Sequence, residues 1–175
     1  MRKLEWVCPF YAVWMAMLSR CYSEKHHKRR PTYIGCTVCA EWLTFSNFKV
    51  WMQEQDYEGN QLDKDLLLKG NKVYSPETCV FVSPEVNRFL RESSVNSRGE
   101  WPLGVCWSKQ HSKFKAAVNR GKGKRWNLGL FNTPEEAHQA WLSAKLILAR
   151  ELAEKQTNLK VADALVKRYE NYQES

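Results

Sequence analysis

The 175-residue chain has no internal repeat, no low-complexity tract and no apolar run long enough to span a bilayer. A solenoid and a bundle of membrane helices are therefore excluded as readings. Acidic residues are missing from Lys109 to Arg125, a stretch that holds seven Lys or Arg. A second CxxC is missing as well; the chain has six Cys but only the pair Cys36-x-x-Cys39 at that spacing. Met1-Arg2-Lys3 precedes the apolar-rich Trp6 to Leu18, but Glu5, Pro9 and several aromatics interrupt that stretch and no small-x-small site follows. The segment reads as an amphipathic helix rather than a secretory signal. The cysteines are then expected as reduced thiols or metal ligands, not as a disulfide framework.

What is present is a folded, basic protein. Eight Trp supply large core pieces, and the formal charge of +8 is clustered rather than spread. A second basic run, Lys25-His26-His27-Lys28-Arg29-Arg30, lies near the N-terminus. Localised positive charge suits a polyanion and supplies mainly salt-sensitive, sequence-independent affinity.

Periodicity and caps divide the chain. Tyr11, Trp14, Met17, Leu18 and Cys21 fall on one face of a helix predicted from Phe10 to Tyr22. Ser46 to Glu54 reads as a short helix, and Leu62 to Asp65 as a short extended piece. Lys69 to Lys72 has turn chemistry, and Thr78 to Val82 is a run of β-formers. Ser83-Pro84-Glu85 opens a helix carrying Val86, Asn87, Phe89 and Leu90. Residues 92–101, rich in Ser, Asn, Arg and Gly, read as a linker.

Three strands follow, Gly104 to Lys109, Lys113 to Val118 and Arg125 to Leu130. Alternation puts Phe114, Ala116, Val118, Trp126, Leu128 and Leu130 inward. Thr133-Pro134-Glu135-Glu136 is a capping box, opening a helix with Ala137, Ala140, Trp141, Ala144 and Leu148 as its apolar stripe. Thr157 is expected to cap a last helix that buries Val161, Ala162, Leu165, Val166 and Tyr169.

The fold class expected from this pass is α+β. One face of the three-stranded antiparallel sheet must bury against the Thr133 helix. The other would present Lys113, Lys115, Arg125 and Asn127, with Lys109, Asn119 and Arg120 at its edges. A narrow sheet with positive charge and hydrogen-bonding tips suits the major groove of duplex DNA: Lys for phosphates, Arg125 and Asn127 for base edges.

Gly104-Val105, Lys113-Phe114-x-Ala116-x-Val118 and Leu128-Gly129-x-Phe131-x-Thr133-x-Glu135-Glu136-Ala137 together resemble an Apetala-type (ethylene-response-factor-like) DNA-binding domain, over most of Pro102 to Leu148. The plant domains usually carry Trp and Arg where this chain has Asn127 and Asn119, so their target sequence does not carry over.

The stretch Leu62 to Asn87 reads strand, loop, strand, helix. Folded back as a ββα unit, it would bring Asp63 and Asn87 together as hard oxygen ligands of the kind Mg²⁺ takes. Trp14-x-x-Met17-x-x-Arg20-Cys21-Tyr22, Val38-Cys39-x-x-Trp42, Phe45-x-x-Phe48, Leu62-Asp63-Lys64-Asp65 and Tyr74-Ser75-Pro76-Glu77-Thr78-Cys79 resemble the HNH (ββα-metal) endonucleases, closest to homing-endonuclease-like proteins of phages. Those proteins often join that unit to an Apetala-type domain.

The resemblance implies Asp63 and Asn87 as ligands of Mg²⁺ or Mn²⁺, and Asn71 as the middle Asn pinning the loop between the strands. It puts Lys64 in the place where the best-known members hold a general-base His. Lys64 either stabilises the phosphate while water attacks or marks a lost activity. Cys36 and Cys39, with Cys21, His26 and Cys79 as companions, form a candidate structural zinc set; buried free thiols are the alternative.

The expected organisation is a nuclease domain at 1–91, a linker at 92–101, a DNA-binding domain at 102–149 and a C-terminal helix at 150–175. The expected function is site-directed, metal-dependent DNA cleavage in the cytoplasm, that of the host cell if the chain is phage-encoded. Duplex DNA is the expected partner, with no membrane and no small-molecule substrate. Two alternatives stand: a non-catalytic DNA-binding protein or regulator on the same modules, and an RNA binder, which fits the charge but not the reader domain.

Overall fold

The computed structural model describes residues 8–91, 100–121 and 124–172. The fold is α+β and divides into two compact units, Met1–Pro84 and Glu85–Ser175.

In the first unit α1 (Pro9–Tyr22) starts on a proline, whose missing N–H costs nothing in a first helical turn. Ser23 ends α1 and caps α2 (Glu24–Arg29), its hydroxyl accepting from the His26 N–H. Two 3₁₀ turns, Pro31–Tyr33 and Ala40–Leu43, flank β1 (Thr37–Val38); α3 (Phe45–Gln53), β2 (Gln61–Asp63), β3 (Val73–Tyr74) and β4 (Val80–Val82) complete the unit.

β2 and β4 pair antiparallel, Leu62 opposite Phe81, while β3, within the connection between them, pairs parallel with β1. Met17 and Cys21, one turn apart on α1, join Trp42, Phe48, Met52, Tyr74, Cys79 and Phe81 in the core. Tyr11, expected on the buried face, is instead 44% exposed. It sits at the rim, its ring edge-on to Phe45 at 5.2 Å.

The second unit takes in all but the first residue of α4 (Pro84–Leu90), then β5 (Val105–Ser108), β6 (Lys113–Asn119), β7 (Arg125–Phe131), α5 (Pro134–Ala153) and α6 (Leu159–Glu170). The three strands form one antiparallel sheet in the order β5-β6-β7. α5 packs across one face through Ala137, Trp141, Ala144 and Leu148. Thr133 and Glu136 close the capping box reciprocally, fixing where α5 leaves the sheet. Gly104 lets β5 pass under α5: its φ is +79°, and a Cβ there would lie 1.9 Å from Trp141 Cδ1.

Three expectations change here. The α6 cap is Asn158, whose Oδ1 accepts from the Lys160 N–H at 3.0 Å, not Thr157. Of the expected α6 stripe, Val161, Leu165 and Tyr169 are buried, while Ala162 and Val166 lie half-buried at its margin.

Leu130 does not point inward. A β-bulge between Ala116 and Ala117 leaves Leu128 as an extra residue on β7, so Ala116 faces Gly129 and Ala117 faces Asn127. One extra residue reverses the alternation beyond it. Leu130 therefore lies opposite Lys115 on the outer face, 40% exposed, while Leu128 packs inward.

The expected linker falls mostly outside the described residues. Its last residue, Trp101, packs edge-on against Phe114 and belongs to the second unit. The division before Glu85 also assigns Phe89 to that unit, where its ring lies 5.5 Å from that of Tyr169.

Candidate nucleic-acid interface and metal site

Register defines the outer face of the sheet row by row. Ser108 lies opposite Lys113, and Cys106, Lys115 and Leu130 form the next row. Ala117 with Asn127, and Asn119 with Arg125, follow beyond the bulge. Opposed residues in an antiparallel pair stand about 5 Å apart, so these side chains form one continuous surface. Lys113, Asn119, Arg125, Asn127 and Leu130 are exposed, and Lys115 is half-buried.

Lys109 is exposed in the turn that leaves β5. Arg120, also exposed, lies over the Trp126 ring at 5.4 Å, with Glu151 4.0 Å away. Asn119 acts locally, its Oδ1 accepting from the Gly121 N–H at 2.8 Å and so shaping the β6–β7 turn. Cys106, Ser108 and Leu130 are members of this face that sequence reading missed. For Leu130 the usable signal was Gly129 inside a strand pattern, a common mark of a bulge.

The candidate metal site lies in the loop after β2. Asp63 Oδ1 accepts from the N–H groups of Asp65 (2.8 Å) and Leu66 (2.7 Å), which turns the chain sharply out of the strand. Lys64 is 6% exposed and points inward. Its Nζ donates to Asp65 Oδ1 at 2.7 Å and to the Asn71 carbonyl, below the Tyr74 ring. Asn71 answers reciprocally: its amide donates to the carbonyls of Lys64 (2.8 Å) and Val73 (2.6 Å), and its oxygen accepts from the Val73 N–H. Lys64 and Asn71 thus lock the two ends of the loop between β2 and β3.

Tyr74, beside them, has its phenol held well above the ordinary range by burial, against the opposing pull of Arg20. Asp63 belongs to the first unit, whereas Asn87, on α4, belongs to the second. The Asp63 carboxylate is a hard donor of the kind Mg²⁺ takes, already oriented by two amides.

The thiols are placed differently. Cys21, Cys36 and Cys79 are core residues, Cys39 and His26 half-buried. Burial pushes the Cys21 thiol up to about 11, with Cys36 adding to it, and the Cys79 thiol up to about 12. Zinc needs thiolates. His26 is held below its ordinary range by burial and by the positive charges of Arg20, Arg29, His27 and Arg30. Among the described residues no group of three or more His, Cys, Asp or Glu is arranged to hold a metal ion.

Among the described residues no helix is long and apolar enough to cross a membrane. Comparison with protein-family models, with curated proteins and with solved structures finds no match to this chain.

Proposed function

We propose that this chain is a site-directed DNA endonuclease of the homing type, in which the second unit reads duplex DNA and the first hydrolyses a phosphodiester bond. The observation that carries the reading is the outer sheet face. Lys113, Lys115, Arg125, Asn127 and Asn119 share one surface, on strands narrow enough for a major groove, backed by a capped helix. Lys side chains supply phosphate contacts, Arg125 supplies paired donors and Asn127 a donor and an acceptor for base edges, and Leu130 offers apolar contact to a thymine methyl.

In the first unit Asp63 is the residue that would hold Mg²⁺ or Mn²⁺, which when bound supplies charge neutralisation at the scissile phosphate. Asn71 and Lys64 hold the loop that aims Asp63. Lys64 acts as a donor at both of its hydrogen bonds, which is the opposite of a general base. Its role in this reading is to position the loop.

That observation also favours a second reading, in which the same two units bind DNA without cutting it. The experiment separates the two. Purified chain is incubated with DNA containing its selected site, with Mg²⁺ or Mn²⁺, beside Asp63→Ala. Cleavage by the wild type, lost in the variant while binding persists, supports the endonuclease. Site-specific binding with equal cleavage background in both proteins supports the DNA-binding alternative. No binding by either removes both.

A further inference from the structure

The basic run near the N-terminus takes no part in the sheet face, and the structure gives it a definite setting. α2 carries Lys25, Lys28 and Arg29 exposed, and Arg30 follows, also exposed. None of the four has an acidic partner within ion-pair distance among the described residues. The segment is held rather than loose. His27 Nε2 bonds the Arg20 carbonyl at 2.9 Å, and the His26 ring lies edge-on to Tyr33 at 5.3 Å. Lys72, from the loop that Asn71 pins, reaches across to the carbonyls of Thr32 (2.7 Å) and Ile34, bringing a further exposed cation to the turn after α2.

We propose that α2 and the turn after it, through Lys25, Lys28, Arg29 and Arg30, form a second DNA-backbone contact surface in the first unit, separate from the sheet face. The inference rests on the reading of the chain as a DNA-binding protein and adds to it where the first unit grips phosphates. Uncompensated cations held on an ordered segment are what phosphate contacts require, and their affinity comes from counterion release. Duplex DNA is the partner the charge favours, because Glu24 to Arg29 contains no large apolar residue; Tyr22 and Ile34, exposed at either end of the segment, are the reason for a vesicle arm in the test. Through Lys72 the surface adjoins the loop that carries Lys64 and Asn71.

The test measures binding of the full chain to a short duplex of arbitrary sequence across a salt series. The proteins are wild type, Lys25→Gln/Lys28→Gln/Arg29→Gln, the charge-keeping Arg29→Lys/Arg30→Lys, and the sheet variant Lys113→Gln/Lys115→Gln/Arg125→Gln. The Gln triple variant should flatten the log–log salt slope by about two to three, at about 0.9 for each phosphate no longer neutralised. The charge-keeping variant should retain the wild-type slope, which separates loss of charge from loss of fold.

A Gln triple variant with the wild-type slope overturns this inference. If the sheet variant is weakened at the same time, the sheet reading survives on its own. A sheet variant that binds like wild type, beside a flattened α2 slope, supports this surface and sinks the sheet reading. Absence of duplex binding by the wild type overturns both. Loss of binding to phosphatidylserine vesicles in the α2 variant, with its DNA slope unchanged, also overturns it in favour of a lipid surface.

Discussion

The side chain of Asn71 makes three hydrogen bonds, all to backbone, that bridge the ends of one loop. Removing it leaves two carbonyls and an N–H to find water or go unpaired. Asn71→Ala should cost roughly 1–3 kcal/mol, read as a lowered urea midpoint at unchanged slope. An unchanged midpoint would mean the loop is held by Lys64 alone.

The thiols offer a pH test at the same scale. Cys21 has its folded pKa raised to about 11, above the ordinary thiol value. A raised pKa means that the stability from its burial is fully present below the unfolded pKa, near about 8.5, and is lost as pH rises through the folded value. Cys79 acts in the same sense, with its folded value near about 12. Stability should therefore hold from neutral pH to about 8.5 and decline progressively above it. Cys21→Ala and Cys79→Ala should each show a shallower alkaline decline. Identical alkaline limbs in wild type and both variants would remove the argument. The composition and the lone CxxC raise the choice between buried thiols and zinc, and the structure places Cys21, Cys36 and Cys79 in the core. Hydrophobicity alone does not distinguish a Cys that packs from one that binds.

At the scale of elements, most of the second unit was legible in the residues alone. Thr133 with Glu136 marks a helix start by chemistry local to four residues, and alternating Lys and apolar residues mark β6. The bulge was not legible in the same way. It depends on which β7 residue β6 leaves unpaired, a cross-strand choice that no single-strand pattern contains. The same holds for β3, which pairs with β1 across a long stretch of chain, and for the α6 cap, where Thr157 and Asn158 are chemically equivalent candidates.

The bulge makes a sharp prediction. Leu130→Ala removes an exposed side chain and should stay within about 0.5 kcal/mol of wild type, whereas Leu128→Ala should cost at least about 1 kcal/mol. Thermal unfolding of the pair checks it, and the reverse order would restore uninterrupted alternation. Gly104 belongs to the same scale, because it sets the spacing between β5 and α5. Gly104→Ala forces a methyl into the Trp141 indole at a positive φ, and should cost roughly 1–3 kcal/mol or more, visible as a lowered Tm.

The whole chain divides at a place that composition does not announce. Ser, Asn, Arg and Gly in residues 92–101 suggest that the second unit begins after α4, yet α4 carries contacts the second unit needs. Lys145 is 5% exposed, in the middle of α5, and its Nζ donates to the Phe89 carbonyl at 2.7 Å. The same ammonium lies 3.7 Å from the centre of the Phe89 ring and 4.9 Å from that of Tyr169. A buried ammonium is tolerated where acceptors and ring faces replace water, and a fragment lacking α4 removes the Phe89 carbonyl and ring from this one.

A fragment spanning 85–175 should therefore unfold cooperatively and more stably than one spanning 102–175, by roughly 2 kcal/mol or more in denaturant titration. Lys145→Met separates the cause from simple loss of apolar area. It should stabilise the shorter fragment relative to its own wild type, because there the Lys145 ammonium has lost the Phe89 carbonyl and ring. In the longer fragment, where Phe89 is present, the same substitution should bring little gain. Equal stability of the two wild-type fragments would place α4 outside the second unit and return the boundary to residues 92–101.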